Sequence, residues 1–400
     1  CQMDNLRVGE FNDSFPPTID GVAQAVKNYA SVMHKNHCHV TVVTPRYRDV
    51  VDNYPFEVFR YQSVPLDKNI GYRAGNPFDP ATLLRLRRKR FDLIHVHAPF
   101  ASSVLVRNFN RKPKVPVIFT YHTKFDIEIP TRVKLKGLQH VARSFVRENI
   151  NSADEVWAVS EGCGQSLRRL GYKGRYLVME NGTDFAFGKA DPLAVAALRQ
   201  KYGVRDDDFV FLFVGRMRWY KNLRLILDTL KIARGKGLPF QAIFVGGGYD
   251  AQAIRDYADG CGLRDCTAFT GPVYDREQLR AYYSLADLFL FPSTYDTSGI
   301  VVKEAAACSC PALLIRDSCA AEGVQHGFTG FLAMETADSC SRVLLDACQS
   351  RESLATVGDN AGQHLYLSWE DAVAKAYARY KEVLRLWPGP LPYNAKTRWF

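Results

Sequence analysis

"LRVGEFNDSFPPTIDGVAQAV", residues 6–26, places a proline pair and an Asp-Gly dipeptide between an apolar strand and a helical pattern. Pro16 and Pro17 lack the backbone N–H that a sheet ladder needs, so the strand must end before them. Asp20-Gly21 is turn chemistry, and Gly21 stands where the helix should begin. The stretch therefore predicts a strand–loop–helix unit that brings bare backbone N–H groups to the end of a strand.

The same alternation of strand and helix patterns continues through most of the chain. Its strand-like runs are almost continuously apolar, which is typical of parallel strands covered by helices on both faces. A length of 400 residues exceeds what one core usually serves. We therefore predict an α/β fold with two Rossmann-like, doubly wound parallel-sheet domains. The runs are "LRVGEF", "HVTVVTP", "DLIHVHA", "VPVIFTYH", "EVWAVS" and "RYLVME", then "FVFLFVG", "FQAIFVGGG", "CTAFTG", "LADLFLFPS" and "PALLIR".

The domain boundary is predicted just after "ENGTDFAFG", where Gly182 and Gly188 flank a loop. This boundary gives an N-terminal domain of residues 1–186, and residues 187–368 would form the second sheet. Residues 369–400 contain a helix with no strand after it, followed by a proline-broken tail. That helix could pack on either domain, and we expect it to return to the first.

Charge and composition limit the partners of the chain. The net charge of +10 indicates an anionic partner, which could be nucleic acid, a phosphorylated substrate or an acidic membrane. Basic residues do not interleave with aromatic ones as stacking platforms require, so nucleic acid is disfavoured. The ten cysteines form no C-x-x-C pair, which predicts reduced thiols in a cytoplasmic protein. No apolar run reaches membrane-spanning length, and no signal peptide is visible.

Candidate chemistry follows the strands of the second series, because open parallel sheets bind ligands at the carboxyl ends of their strands. After "FVFLFVG", Arg216 and Lys221 frame a short loop. After "LADLFLFPS", Asp296 precedes a helix that Gly299 starts and that carries Glu304. Cations and free helix N–H groups hold phosphate, whereas carboxylates accept hydrogen bonds from sugar hydroxyls. The residues therefore predict a phosphate-linked sugar as ligand.

Several of these motifs, taken in order, resemble the retaining glycosyltransferases of family 4, which have the GT-B fold. Asp296 and Glu304 keep the spacing of the family's E-x7-E region, with Asp in place of the first Glu. "FVGRMRWYKNL" resembles the "GRL…EKG" loop, with Lys221 at the Lys position and Asn222 where Gly is common. Residues 11–26 resemble the "P…GGV" loop, and "DLIHVHAP", "FTYHTKF" and "ENGTD" match other sequence motifs of the family. The resemblance covers nearly the whole chain.

The resemblance implies that the two domains face a cleft, that the first, residues 1–186, binds the acceptor, and that the second binds a nucleoside-diphosphate sugar. Arg216 and Lys221 would offset the diphosphate charge as the leaving group departs, an electrostatic contribution usually large in such reactions. Glu304 would accept from ribose hydroxyls, Asp296 would hold a hydroxyl of the transferred sugar, and His122 would face the reacting carbon or sugar. The remaining implied contacts are backbone amides of Thr297, Ser298 and Gly299, a base contact by Pro272 and Val273, and close approach of the diphosphate at Gly21.

Within the family, "DSFPPTIDGVA" and "YHTKFDIEI" look closest to transferases that glycosylate diacylglycerol or related membrane lipids. The resemblance thus implies transfer of a hexose, glucose from UDP-glucose, to a lipid acceptor, with retention and without a metal or cofactor. The protein would be cytoplasmic and peripheral at the inner face of the plasma membrane. A soluble or polysaccharide acceptor and sugar-nucleotide epimerisation are the alternatives. Asp296 is one methylene shorter than Glu, which leaves the hexose open.

A basic amphipathic segment, residues 131–150, has two interpretations. It could be a surface helix that packs on its own sheet, or it could lie on an anionic membrane and bring the lipid acceptor to the active site. The net charge and the aromatic tail favour the second without excluding the first. The apolar residues on or near one face are Leu135, Leu138, Val141, Phe145 and Val146, and those of the tail are Trp387, Tyr393, Trp399 and Phe400.

Three further patterns have ordinary explanations. Asp206-Asp207-Asp208 contains a D-x-D, but it precedes a strand at the amino end of the sheet, which is typical of a solvated turn. His95 and His97 share a strand face and with His122 could suggest a metal site, but no carboxylate or Cys partner is evident, which favours packing or cleft-lining roles. The glycine run 246–248 is typical of a strand-to-helix turn, although it could adjoin the sugar.

Overall fold

The computed structural model describes residues 5–18, 20–47, 49–65, 73–111 and 114–387. The chain divides into two compact units: the first runs to Asn181 and resumes at Trp369, and the second is Gly182–Ser368. The boundary suggested by the sequence, between residues 186 and 187, lies a few residues beyond this division.

The first unit is a seven-stranded parallel sheet with helices and a small antiparallel strand pair. Its elements are β1 (Arg7–Phe11), α1 (Gly21–Lys35), β2 (His39–Pro45), β3 (Glu57–Tyr61), β4 (Ser63–Pro65), β5 (Arg73–Gly75), α2 (Pro80–Arg88), β6 (Leu93–Val96), α3 (Ala101–Phe109), β7 (Val117–Tyr121), α4 (Phe125–Arg132), α5 (Lys136–Asn151), β8 (Glu155–Ala158), α6 (Glu161–Arg169) and β9 (Leu177–Val178). The sheet order is β3-β2-β1-β6-β7-β8-β9, and β4 pairs with β5. This order places β1, β6 and β7 side by side, so whatever follows them lies at one edge.

The second unit is a six-stranded parallel sheet covered by helices. Its elements are α7 (Pro192–Lys201), β10 (Phe209–Val214), α8 (Leu223–Gly235), β11 (Phe240–Val245), α9 (Ala251–Gly260), β12 (Thr267–Gly271), α10 (Arg276–Leu285), β13 (Leu288–Phe291), α11 (Ile300–Ala307), β14 (Ala312–Ile315), β15 (Phe331–Ala333), α12 (Ala337–Ala347) and α13 (Arg351–Leu365). The sheet order is β12-β11-β10-β13-β14-β15. Here β10 and β13 are neighbours at the point where the strand order reverses, which is where such sheets bind ligands.

The opening strand–loop–helix prediction is confirmed. β1 ends at Phe11, before the prolines, and α1 begins at Gly21. Asp20 is the N-cap of α1, and its Oδ1 accepts a hydrogen bond from the Ala23 backbone N–H at 2.7 Å. The cap satisfies one of the free N–H groups of the first turn and fixes where the helix begins.

The sequence of α8 repeats apolar residues at helical spacing, and these residues, Leu223, Ile226, Leu227 and Leu230, are all buried in the core of the second unit. All the strand-like runs of the sequence contain a strand. The pattern missed β3, an edge strand that contains two charged residues, and the three-residue strands β4, β5 and β15.

The last helix, α14 (Trp369–Leu386), packs on the first unit. Trp369, Val373 and Tyr380 are buried, and Tyr380 stacks on Trp157 of β8 at 5.6 Å between ring centroids. Arg379 forms a buried ion pair with Glu155, with Nη2 and Oε2 2.6 Å apart. The chain thus leaves the first unit, builds the second and returns, and the return is held by apolar and charged contacts together. The tail residues Tyr393, Trp399 and Phe400 lie outside the described residues.

The nine described cysteines are all free, and eight of them are buried. Among the described residues, every helix is too short or too polar to span a bilayer.

Candidate active site

The cationic loop after β10 and the acidic loop after β13 meet in the second unit. Lys221 ends a short 3₁₀ turn, and its Nζ lies 2.5 Å from Asp296 Oδ1. The other carboxylate oxygen, Oδ2, is buried and has no hydrogen-bond partner in the described part of the chain. Arg216, on the same loop as Lys221, is exposed and forms no ion pair with any described residue. The Lys221–Asp296 pair therefore keeps one acceptor open, and the same loop carries a second cation, Arg216, that no described carboxylate neutralises.

Asn222 stands where the family that the sequence resembles commonly has glycine, and its backbone conformation suits both residues. Its φ of +59° lies in the left-handed region, which glycine and asparagine tolerate best. The Asn222 side chain donates to the Pro292 carbonyl at 2.9 Å and to Glu335 Oε1 at 2.6 Å. Asparagine here thus keeps the turn and ties the Lys221 loop to the end of β13.

Gly299 opens α11 with backbone geometry that a side chain would obstruct. Its φ is +53°, and a Cβ at this position would lie 3.0 Å from the Ala320 Cα. No side chain caps the first turn of α11. Thr297 and Ser298 are half-buried on the loop that leads into this helix start. Backbone N–H groups at such a start are suited to an anion.

Glu304 is buried on α11, and both of its oxygens are engaged by α10. Arg276 Nη2 donates to Oε1 at 2.6 Å, and the Tyr283 hydroxyl donates to Oε2 at 3.0 Å. Burial raises the pKa of Glu304 although Arg276 acts to lower it. Arg276 also pairs with Asp184, so the predicted ribose-binding carboxylate belongs to a fixed network. A ribose hydroxyl would have to use a remaining lone pair of an oxygen that already accepts one bond.

The two residues predicted to lie against the base are accessible. Pro272 is exposed and Val273 is half-buried after β12. The neighbouring glycine run packs backbone to backbone: a Cβ on Gly246 would lie 1.9 Å from the Gly215 carbonyl oxygen, and one on Gly248 would lie 2.5 Å from that of Met217. The run is therefore a strand-to-helix turn that holds the Arg216 loop closely.

In the first unit, His122 lies at the end of a chain of buried polar side chains. His122 follows β7, and its Nε2 lies 2.9 Å from Nδ1 of His97, which follows β6. His97 Nε2 in turn lies 2.6 Å from Oε2 of Glu10 on β1. All three side chains are buried. Three neighbouring strands thus align a carboxylate and two imidazoles in one row.

The charge states in this row follow from its burial and hydrogen bonds. Burial acts to raise the pKa of Glu10, but the interactions with His95 and His97 outweigh it and hold that pKa at about 2. Burial and the neighbouring His95 lower the pKa of His97 to about 4. Burial likewise lowers the pKa of His122 well below its usual range. Glu10 is therefore ionised and both imidazoles are neutral at neutral pH.

The expectation that no carboxylate accompanies the histidines is wrong. Among the described residues, Glu10, His95 and His97 converge closely enough to be considered as a metal site. The atoms that would bind a metal are already hydrogen-bonded, however. His97 Nε2 is hydrogen-bonded to Glu10 Oε2, and His95 Nδ1 lies 2.5 Å from the Tyr380 hydroxyl. His95 Nε2 lies 2.6 Å from Thr120 Oγ1. The cluster is complete as a hydrogen-bond network.

The other predicted positions lie apart from these clusters. Gly21 is exposed at the first position of α1, and nothing in the described chain would contact a Cβ there. Asp206 of the D-x-D is fully exposed, whereas Asp208 is buried and bonds Arg205. That turn precedes β10 and so lies at the opposite end of the strand from Lys221.

Sequence reasoning missed three functional candidates: Glu10, Arg276 and Tyr283. Glu10 carried a signal, because a carboxylate within an apolar strand must find a partner when it is buried. Arg276 and Tyr283 lie on an ordinary amphipathic helix, and no local pattern connects them to Glu304.

Comparison with known proteins agrees with this arrangement. A glycosyltransferase family 4 model matches residues 19–187, and a glycosyl transferases group 1 model matches residues 195–364. The solved structure of a sucrose-phosphate synthase from Thermosynechococcus elongatus superimposes with a TM-score of 0.75 at 20% identity, covering 95% of this chain and 100% of that one. The two models and the shared fold together account for both sheets.

Two curated relatives are described as alpha-monoglucosyldiacylglycerol synthases. The one from Streptococcus pneumoniae is 25% identical over 316 residues, 77% of this chain and 70% of the relative. The one from Acholeplasma laidlawii is 24% identical over 394 residues, 95% of this chain and 97% of the relative. The similarity thus extends over both units.

Proposed function

We propose that this chain, which belongs to the GT-B glycosyltransferases with a family 4 and a group 1 domain, transfers a hexose to a membrane lipid such as diacylglycerol. The donor in this proposal is a nucleoside-diphosphate sugar, UDP-glucose first among the candidates. The observation that carries it is the Lys221–Asp296 pair, which offers a cation and an open carboxylate oxygen at the end of β10. The similarity to diacylglycerol glucosyltransferases supports the acceptor.

In this proposal the second unit holds the donor. Arg216 and Lys221 offset the diphosphate charge, the start of α11 presents N–H groups to it, and Asp296 Oδ2 accepts from a hydroxyl of the transferred hexose. Glu304 receives the ribose, and Pro272 with Val273 flanks the base. Because side-chain cations can neutralise the leaving diphosphate, the proposed reaction needs no metal ion or other cofactor.

The proposed chemistry retains the anomeric configuration. The acceptor hydroxyl attacks the anomeric carbon from the face that the diphosphate leaves, so a C–O bond to the lipid forms as the C–O bond to phosphate breaks. The hydroxyl proton passes to the departing phosphate oxygen. Positive charge around the diphosphate lowers the barrier because negative charge develops there in the transition state.

The lipid acceptor is supported by an exposed apolar ridge, which we define as Leu135, Leu138, Val141 and Phe145. These side chains are between 43% and 67% exposed, although each is apolar and they recur along one face of α5. Val146, which the sequence placed near the same face, is instead buried in the core. A helix that packed on its own sheet through this face would have covered the ridge.

Cations accompany the ridge. Lys134 and Lys136 are exposed at the start of α5, and the whole chain carries a net charge of +10. Apolar side chains that enter the acyl boundary, together with lysines that contact anionic headgroups, are the features of an interfacial helix. We therefore propose that the protein binds the membrane peripherally through this ridge.

Incubation with a panel of labelled sugar nucleotides and diacylglycerol vesicles tests the transfer. UDP and GDP sugars are included, and the products are identified by mass. The proposal expects a glycolipid with an alpha linkage. Sugar transfer only to a soluble or polysaccharide acceptor would refute the lipid assignment, and an altered sugar nucleotide formed without any acceptor would indicate an epimerase.

Vesicle sedimentation tests the membrane surface. The Leu138→Ser/Val141→Ser variant should sediment much less with phosphatidylglycerol vesicles than the unaltered protein does. Leu193→Ser is the matched control, because Leu193 is 78% exposed in the second unit. Equal loss in both variants, or binding that does not weaken with salt, would contradict the proposed surface.

A further inference from the structure

The row Glu10–His97–His122 has a fixed hydrogen-bond direction. A carboxylate only accepts hydrogen bonds, so His97 Nε2, 2.6 Å from Glu10 Oε2, must carry the proton. A neutral imidazole has one protonated nitrogen, which leaves His97 Nδ1 as an acceptor. His122 Nε2, 2.9 Å away, must then donate to it. His122 Nδ1 is consequently unprotonated, and it has no hydrogen-bond partner in the described part of the chain.

We propose that Glu10 and His97 are positioning residues that hold His122 in the Nε2–H tautomer, so that its bare Nδ1 accepts a hydrogen bond from a hydroxyl of the acceptor. The substrate contact of His122 rests on the proposed function, whereas the direction of the hydrogen bonds does not. Because the tautomer is fixed, Nδ1 can only accept a hydrogen bond, so a bound hydroxyl must point its proton toward it. Specificity follows, because a substrate that lacks this hydroxyl would cover the nitrogen without giving it a hydrogen bond.

The surroundings make the row rigid. Glu10 and His95 are fully buried, and Tyr29 packs its ring edge against His95 at 5.4 Å between centroids. Tyr380 of α14 lies 2.5 Å from His95 Nδ1, and its hydroxyl lies 3.4 Å from Glu10 Oε1. The last helix thus places Tyr380 against Oε1, the carboxylate oxygen that His97 does not contact. In a site closed to water, the ionised Glu10 has few other donors to which it could turn.

A metal ion would contradict this assignment, because it would occupy the nitrogen that donates to Glu10. Zinc binds unprotonated imidazole nitrogens, so a zinc bound at Glu10, His95 and His97 would remove the proton from His97 Nε2. His97 Nδ1 would then be the donor toward His122, and the tautomer of His122 would be reversed. The two arrangements therefore differ in a quantity that can be measured.

Long-range proton–nitrogen correlation spectra of ¹⁵N-histidine-labelled protein report the tautomer directly. His122 is assigned by comparison with the His122→Gln variant. We expect an Nε2–H, bare-Nδ1 pattern in the protein without substrate, unchanged by a chelator. A protonated Nδ1, or one equivalent of tightly bound zinc found by elemental analysis, would overturn the proposal even if lipid glycosylation were established. Conversely, the expected spectrum would stand if the donor or acceptor proved different.

Glu10→Gln then tests the positioning role. Glutamine has nearly the same shape, but it can present either an amide N–H or a carbonyl to His97. The donor and acceptor roles of His97 and His122 are then no longer fixed. We expect a second His122 tautomer in the spectrum and a fall in kcat of about 10²-fold, without a matching change in donor Kd.

Glu155→Gln is the matched control. Glu155 is another buried carboxylate of the first unit, but it bonds Arg379 and Trp157 rather than a histidine. We expect the His122 spectrum to stay unchanged in this variant. A reversed tautomer in Glu155→Gln, or an unaltered one together with full activity in Glu10→Gln, would refute the positioning role. If Glu10→Gln fails to fold, the spectrum of the unaltered protein still decides.

Discussion

The polar clusters at the strand ends of the two units differ in how completely the protein itself satisfies their polar groups. In the first unit, His97 is hydrogen-bonded to both Glu10 and His122, and all three side chains are buried. In the second unit, Arg216 is exposed, and Asp296 keeps one oxygen without a partner. The same type of parallel sheet thus supports a closed network in one place and, in the other, an open set of charges in which Lys221 and Asp296 are paired but Arg216 is not.

The difference separates two uses of polar residues. A closed, buried network fixes geometry, and breaking it costs stability because a charge is left unpaired. An open set of charges contributes little to the fold but is ready to be neutralised by a charged ligand. We therefore expect substitutions in the first unit to change the free energy of unfolding and those at Lys221 and Asp296 to change catalysis.

The largest effect should come from Arg379→Met. This change leaves Glu155 as an uncompensated buried carboxylate and should lower the free energy of unfolding by about 3–5 kcal/mol. The control is Arg234→Met in the second unit, whose exposed pair with Asp265 should be worth about 0–1 kcal/mol. Urea unfolding followed by circular dichroism measures both. Similar losses of unfolding free energy in the two variants would contradict the expected difference between a buried and an exposed ion pair.

Lys221→Ala should reduce transfer while leaving the fold intact. Loss of one preorganised charge beside the leaving group should lower kcat/KM by about 10²–10³-fold, or about 3–4 kcal/mol. Lys231→Ala is the control, because Lys231 is an exposed lysine on α8 away from the site. Near-normal turnover in Lys221→Ala, measured with the radiolabelled donor, would refute the assigned site.

The pH dependence of stability should reveal the closed network. The pKa of His97 is lowered from 6.5 to about 4, so between these values the unfolded chain binds more protons than the folded one. The free energy of unfolding is therefore fully present above pH 6.5 and falls as the pH drops toward 4, by about 3 kcal/mol for this group. His122, whose pKa is also lowered, acts in the same direction.

Urea unfolding at several pH values checks this slope. His97→Gln should flatten it between pH 6.5 and 4.5, above the range where Glu10 begins to be protonated. His140→Gln alters an exposed histidine of α5 and should leave it unchanged. Because His122 still contributes, part of the slope should remain in His97→Gln, and only an unchanged slope would indicate that His97 does not account for it.

The smallest effect should come from Asp296→Glu. The longer side chain would move the open carboxylate oxygen by about one methylene, which changes the fit to a sugar hydroxyl. We expect the preference among hexose donors to shift by about tenfold, with little change in stability. Competition between UDP-glucose and UDP-galactose measures the shift. An unaltered preference would mean that Asp296 does not contact the transferred sugar.

Much of the fold could be predicted from the sequence because its signals are local. The apolar runs, the capping Asp20 and the helical period of α8 each act over a few residues, and each matches the structure. β3 was missed because an edge strand is exposed on one side and loses the continuous apolar pattern. The return of α14 to the first unit was expected, but its sequence did not require it, since an amphipathic helix does not specify which surface it covers.

The candidate site was predictable where a motif fixes a loop and a helix start together. Lys221 and Asp296 are 75 residues apart, yet each follows a strand, and neighbouring parallel strands end at the same edge. Arg276 and Tyr283 could not be found in this way, because their contact with Glu304 depends on how α10 and α11 pack. The carboxylate of Glu10 was overlooked because its histidine partners lie on another strand.

The sequence by itself determined the two parallel sheets, the loops that follow their strands and the residue types placed there, because turn chemistry and hydrophobic period act locally. Only the tertiary structure decided which of those residues are paired. It joined Glu10, His97 and His122 across three strands and brought α14 back onto the first unit. Pairing depends on distances between segments far apart in the chain, and burial then decides the charge that each group carries.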